Sequence, residues 1–104
     1  MKDPQEISSM TELRGVIDAH DRELVAMLAK RAALIDRAAE LKPGEGMQAR
    51  ISARVEAVVG NVRAAALADG LDADLVEGLW RRLIDWSIAR EEAVLGPSRP
   101  EGEL

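Results

Sequence analysis

The chain has 104 residues, a formal net charge of −5 and no cysteine. That length allows one domain with a modest core, and the missing thiols exclude disulfides and thiolate metal sites. The acidic balance argues against a nucleic-acid or anionic-membrane partner.

The N-terminal MKDPQEISSM has no apolar run fit for a signal peptide, and no stretch approaches bilayer-spanning length, so a cytoplasmic protein is expected. With two Trp, no Tyr and no Phe, the core must be built from Ala, Leu, Val and Ile, a composition that favours helix. The first helix is expected to open at Ser9, with Glu12 at capping-box spacing, and to run to Lys42, where Pro43 and Gly44 stop it. The second begins between Gln48 and Ser52, carries Ile51, Val55, Val58, Val59 and Val62 on one side, and ends near Asp69 with Gly70 as a left-handed terminator. The third starts at Asp72 or Asp74, carries Leu75, Val76, Leu79, Trp80, Leu83, Ile84 and Ile88, and stops before Gly96-Pro97. The expected architecture is all-α, a single domain over residues 1–96, followed by a polar, disordered tail over 97–104.

The first helix is too long for its own chain. Roughly 32 residues at about 1.5 Å each make a rod of about 48 Å. A compact globule of this chain length has a radius of gyration of only about 13 Å. Two shorter helices cannot cover both ends of such a rod, so a homodimer with paired long helices is expected.

The charges on that helix are placed unevenly. At about 100° per residue, Arg31 and Lys42 differ by only about 20° in direction, and they share a face with Leu24, Leu28, Ile35 and Ala38. Arg14 points about 100° away from Arg31. If all three serve one site, Arg14 must reach the site of the other subunit. A buried cation without a partner is too costly to be accidental. Either acidic groups on the third helix (Asp85, Glu91, Glu92) neutralise Arg31 and Lys42, or an anionic ligand does. For Arg14 the plainer alternative is an exposed helix pair with Asp18.

The pattern LRGVIDAHDRELVAMLAKR, then Lys42, a turn, a second helix and GLDADLVEGLWRRLIDWSIAREE resembles the all-helical (type II) chorismate mutase family, which includes isochorismate pyruvate lyases. The likeness runs from about Met10 to about Ala93. It implies an intertwined dimer of three-helix chains with two equivalent sites, without cofactor or metal, acting on a dianionic small molecule, chorismate or isochorismate. Chorismate mutase activity in aromatic amino-acid biosynthesis is the leading expectation. Isochorismate lysis to salicylate and pyruvate is the alternative on the same fold, and a non-enzymatic helical dimerisation module is a third. The resemblance assigns Arg14 to the neighbouring chain's site, Arg31 to a substrate carboxylate, and Lys42 to the ether oxygen and a carboxylate. Ser87 would line the pocket, with Glu91 one turn further on.

Such a site needs cations more than nucleophiles. Chorismate rearranges to prephenate in one unimolecular step. The catalyst must hold a flexible dianion in its reactive conformer and stabilise negative charge growing on the ether oxygen. Arginine forks suit carboxylates, and a lysine suits the ether oxygen as a point charge.

Two positions depart from the family pattern. Glu91 stands where a glutamine is usual, and a carboxylic acid donates a hydrogen bond only when protonated. Ala53 stands where mutases carry a glutamate for the substrate hydroxyl, leaving Arg50 and Arg54 as candidate carboxylate contacts. Elsewhere, His20 is expected at a surface or subunit interface, KPGEG as a connector, Trp80 in the core, and Arg81 and Arg82 on a solvated face.

Overall fold

The computed structural model describes residues 3–103. Among them the regular structure is helical and contains no strand. α1 spans Met10–Leu41, α2 Ser52–Ala68 and α3 Ala73–Leu95, with short 3-10 turns at Pro4–Glu6, Pro43–Glu45 and Glu101–Glu103. This is the expected all-α class with a 32-residue first helix. No described helix is long and apolar enough to cross a membrane. Packing divides the chain into two units, residues 1–33 and 34–104.

The first unit is the N-terminal turn and most of α1. Ser9 supplies the expected cap, its Oγ accepting from the Glu12 amide at 3.1 Å, which satisfies one of the donors that a helix start leaves unpaired. Ile17, Leu24, Val25, Met27 and Leu28 are exposed along this helix.

The second unit holds the end of α1, α2, α3 and the C-terminal segment. α1 stops at Leu41 because Pro43 cannot donate to the next helical turn. Gly46 then takes a left-handed φ of 68° to reverse the chain, a conformation that costs glycine little. α2 ends in a Schellman motif. The Leu71 amide donates to the Ala66 carbonyl at 2.8 Å and the Gly70 amide to that of Leu67 at 3.2 Å, with Gly70 at φ 71°. Between the two sequence candidates for the start of α3, Asp72 is the cap: its carboxylate accepts from the Asp74 and Leu75 amides at 2.8 and 3.3 Å.

α2 and α3 pack on each other through small apolar residues. One cluster joins Ala49, Val59, Ile84 and Ile88; another joins Ala66, Ala73 and Val76. Trp80 packs against both, so the single large aromatic of the seam welds two alanine-lined layers. The valine side of α2 faces inward as the spacing required, with Val59 buried and Val55, Val58 and Val62 half-buried.

In the expected polar tail, Ser98 and Arg99 hydrogen-bond to Arg50 and Gln48 before α2, and Glu101 to Ser52, the first residue of α2. Leu104, the last residue of that expected tail, lies outside the described residues.

Arg82 is exposed and the Arg81 side chain 42 % exposed, on the solvated face expected. Arg81 also forks onto Glu56 of α2 at 2.9 and 3.1 Å and bonds Glu77 at 2.7 Å. Glu77 also meets Arg63 at 2.9 Å, and Arg63 meets Asp74 at 2.9 Å. The chain of charges laces α2 to α3. The hydrogen bonds from Arg81 hold both Glu56 and Glu77 below the usual carboxylate range. A carboxylate whose pKa is lowered by folding contributes stability that is complete above its unfolded value and lost as pH falls through the lowered one. The stability gap between the wild-type chain and Arg81→Gln should therefore be widest at neutral pH and shrink toward about pH 3. Urea unfolding at several pH values measures it, and a gap independent of pH would mean that Arg81 acts by packing alone.

Candidate active site

The site is built where α1 ends. Lys42 is the first residue past α1, still with helical backbone angles, and its side chain is 18 % exposed. The turn at Pro43–Glu45 brings the chain back so that the Ala49 carbonyl accepts from Lys42 Nζ at 2.8 Å. From α3, Glu91 presents its carboxylate, Oε1 lying 2.7 Å from the same ammonium, with a side chain only 5 % exposed. A burial this deep is tolerated for a carboxylate only beside a cation. The contact is an ion pair by distance, yet Oε1 has no hydrogen bond of good geometry, so its lone pairs are not fully used.

Ser87 sits one turn before Glu91 and is buried on the same face of α3, its Oγ donating back to the Leu83 carbonyl at 2.8 Å. That bond turns the hydroxyl proton back onto its own helix.

Of the residues singled out from the sequence, Lys42 and Glu91 meet directly, and Ser87 shares α3 and deep burial with Glu91. The structural alternative, an acidic partner for Lys42 on α3, is thus realised by Glu91. Asp85 instead pairs with Arg50 at 3.0 Å, and the Glu92 carboxylate accepts from the Ser98 amide at 2.9 Å. Arg54 is exposed on the first turn of α2, beside an exposed Ala53. Arg14 is exposed and Arg31 half-buried, both on the part of α1 that belongs to the first unit. His20 is exposed on that same helix. A cleft of about 180 Å³ between α2 and α3 is lined by Arg50, Ser52, Val55, Glu56, Arg81 and Asp85, and so includes none of Lys42, Ser87 and Glu91. Among the described residues no three His, Cys, Asp or Glu side chains are grouped to hold a metal ion.

Residues 13–92 match the family model for chorismate mutase type II. The chain belongs to that family. Within it, the chain is 34 % identical over 93 residues to the isochorismate pyruvate lyase of Pseudomonas aeruginosa, an alignment covering 88 % of this chain and 89 % of that protein. It is 33 % identical over 85 residues to the T-protein of Haemophilus influenzae and 32 % identical to that of Enterobacter agglomerans. Each of those alignments covers 82 % of this chain, which spans only 22 % and 23 % of the two T-proteins.

One functional group escaped sequence reasoning: the Ala49 carbonyl that anchors Lys42. A backbone acceptor has no residue-type signature, although the glycines of KPGEG do mark a turn sharp enough to bring it there.

Lys42→Met would leave a buried carboxylate and a carbonyl without their cation, and should cost about 3 kcal/mol of stability. Replacing both partners (Lys42→Met with Glu91→Leu) should recover most of that loss. Equal instability of the single and double variants in urea titrations would show that the pair contributes little through charge.

Proposed function

We propose that the chain is a chorismate mutase, converting chorismate to prephenate with Lys42 as its central cation. The observation that carries this is the state of the Lys42 ammonium. It has three N–H donors; the Ala49 carbonyl takes one and the Glu91 carboxylate lies against the ammonium as an ion pair, which leaves donor capacity for a substrate oxygen. An ammonium fixed in this way is aimed before the substrate arrives, so the ether oxygen gains its donor without reorganisation as the C–O bond breaks. Arg31 binds one substrate carboxylate, and Arg54, exposed on the first turn of α2, is a candidate for the second. Ser87 lines the pocket wall next to Glu91.

Glu91 sets the terms of the reaction. A dianion approaching Lys42 meets a carboxylate one contact away, which repels it while ionised. Glu91→Gln removes that repulsion and puts a permanent N–H donor in nearly the same place. It should raise turnover by up to the roughly 10²–10³ that one such donor is worth, with circular dichroism reporting an intact fold. Unchanged or lower turnover would leave Glu91 as a structural partner of Lys42 only.

Isochorismate lysis on the same fold is the second reading. It is supported by the likeness to an isochorismate pyruvate lyase along nearly the full length of both chains, and by Ala53 standing where mutases carry a glutamate. Both reactions break the same kind of C–O bond and call on the same cation. Assays with chorismate and isochorismate, reading prephenate against salicylate plus pyruvate, separate them.

The working assembly we propose is a homodimer. Ile17 is 47 %, Leu24 54 % and Leu28 44 % exposed on α1, a stripe within about 40° of one direction that water penalises and a second copy covers. Arg14 then serves the partner's site. Sedimentation should give a dimer at about micromolar concentration. Arg14→Ala and Arg31→Ala should each be nearly inactive alone yet recover activity after subunit exchange, because a mixed dimer rebuilds one whole site. A stable folded monomer, or exchange without recovery, would remove the shared-site arrangement.

A further inference from the structure

The Ala49 carbonyl that anchors Lys42 lies in the non-helical stretch before α2, and the chain's own C-terminal segment ties that stretch down. The Gln48 side chain grips the Arg99 backbone from both directions: Nε2 donates to its carbonyl at 2.8 Å, and Oε1 accepts from its amide at 2.9 Å. On the other side of Ala49, the Arg50 amide donates to Ser98 Oγ at 3.0 Å. The Ser52 amide donates to Glu101 Oε1 at 2.6 Å. The segment is itself moored to α3, where the Ser98 amide donates to Glu92 Oε2 at 2.9 Å, one residue from Glu91.

We infer that residues 98–101 form a clasp whose function is to position the Lys42 ammonium, with Ser98 and Glu101 as positioning residues for the site. The inference rests on Lys42 being the working cation proposed above.

Three features carry it. First, Ala49 is held from both flanks, so its carbonyl cannot shift without releasing Gln48–Arg99 or Arg50–Ser98. Second, α2 begins without a cap of its own. Its N-cap residue is Ile51, which has no side-chain acceptor to offer, and Glu101 supplies the missing carboxylate from the far end of the chain. A carboxylate at this end of a helix meets both unpaired amides and the positive end of the helix dipole. Third, the segment is held by hydrogen bonds more than by apolar packing. It borders an open groove of about 500 Å³ between the connector and the end of α3, lined by Met47, Gln48, Leu95, Pro97 and Arg99 among others. Hydrogen bonds from Ser98 also hold the Glu92 carboxylate below the usual range, so that mooring stays ionised and accepting at neutral pH. A link of this kind can be removed without dismantling the α2–α3 core, as a positioning role requires.

The test uses the full chain with Ser98→Ala and Glu101→Ala combined, and Ser98→Thr as the conservative control that keeps a hydroxyl acceptor. Amide hydrogen exchange at Arg50 and Ser52 reads the clasp directly, since both amides donate to it. The side-chain resonances of Lys42, followed by nuclear magnetic resonance, read its coupling to Ala49 without any substrate. Kinetics with chorismate and isochorismate read the consequence. In the double variant, exchange at Arg50 and Ser52 should speed up at least tenfold and the Lys42 resonances should move. The kcat of whichever reaction the wild type performs should fall roughly ten- to a hundredfold, the scale that misplacement of a catalytic group produces, with KM changed less. Helical content should stay at the wild-type level, and Ser98→Thr alone should behave as wild type. Unchanged exchange would mean that the clasp does not exist in solution. Faster exchange with unmoved Lys42 resonances would mean that it holds the connector but does not position the cation, and either result overturns the inference. A wild-type chain inactive on both substrates would instead overturn the proposed function, while exchange and resonances still decide whether Lys42 is positioned by the clasp.

Discussion

A carboxylate buried to the depth of Glu91 is costly without a cation beside it, and the end of α1 supplies Lys42, 2.7 Å away. The end of α1 must deliver that lysine to α3, which sets where the helix stops. Pro43 and the left-handed Gly46 then have to bend the connector back, because the ammonium needs a second acceptor and the Ala49 carbonyl is the one within reach. The start of α2, the run of residues before it and the C-terminal segment that holds that run are all arranged around this pair.

The seam between α2 and α3 solves a different problem. With almost no aromatics, the chain fills this seam with aliphatic side chains, Ala49, Val59, Ile84 and Ile88 in one cluster and Ala66, Ala73 and Val76 in the other. Contacts among them supply the dispersion attraction that larger rings would otherwise give. Trp80 occupies the place between the two clusters where small residues leave room. The ladder of Glu56, Arg81, Glu77, Arg63 and Asp74 runs along the rim and sets the register of one helix against the other.

Global and local electrostatics point in opposite directions here. A chain with net charge −5 is a poor attractor of dianions at long range, and screening limits that repulsion to about 8–10 Å at physiological salt. Within a contact distance the local donors decide. A desolvated ammonium or guanidinium interacts far more strongly than the distant carboxylates that fix the net charge. Several of those carboxylates are also paired on the surface, Asp36 with Arg90, Glu40 with Arg37 and Glu56 with Arg81 among them. An acidic surface and a cationic site are therefore compatible in one small chain.

The sequence by itself determined the helices, most of their ends and the family. Apolar periodicity, Ser9, Pro43, Gly70 and Gly96 act within a turn or two of chain, so their consequences are local and legible. It also singled out Arg31 and Lys42, since a charge on an apolar stripe stands out in one dimension, while Ser87 and Glu91 were legible as site residues only through the family resemblance. Tertiary structure alone decided who meets whom. Among three acids on α3, Glu91 took Lys42 while Asp85 went to Arg50 and Glu92 to Ser98, a choice fixed by the rotation of one helix against another. Arg81, legible only as a surface charge, became the joint between α2 and α3 for the same reason. The C-terminal segment was the least legible of all. Its polar composition matches that of disordered chain, and the amides it satisfies lie some fifty positions earlier. The one local trace of it was an isoleucine where a helix cap belongs.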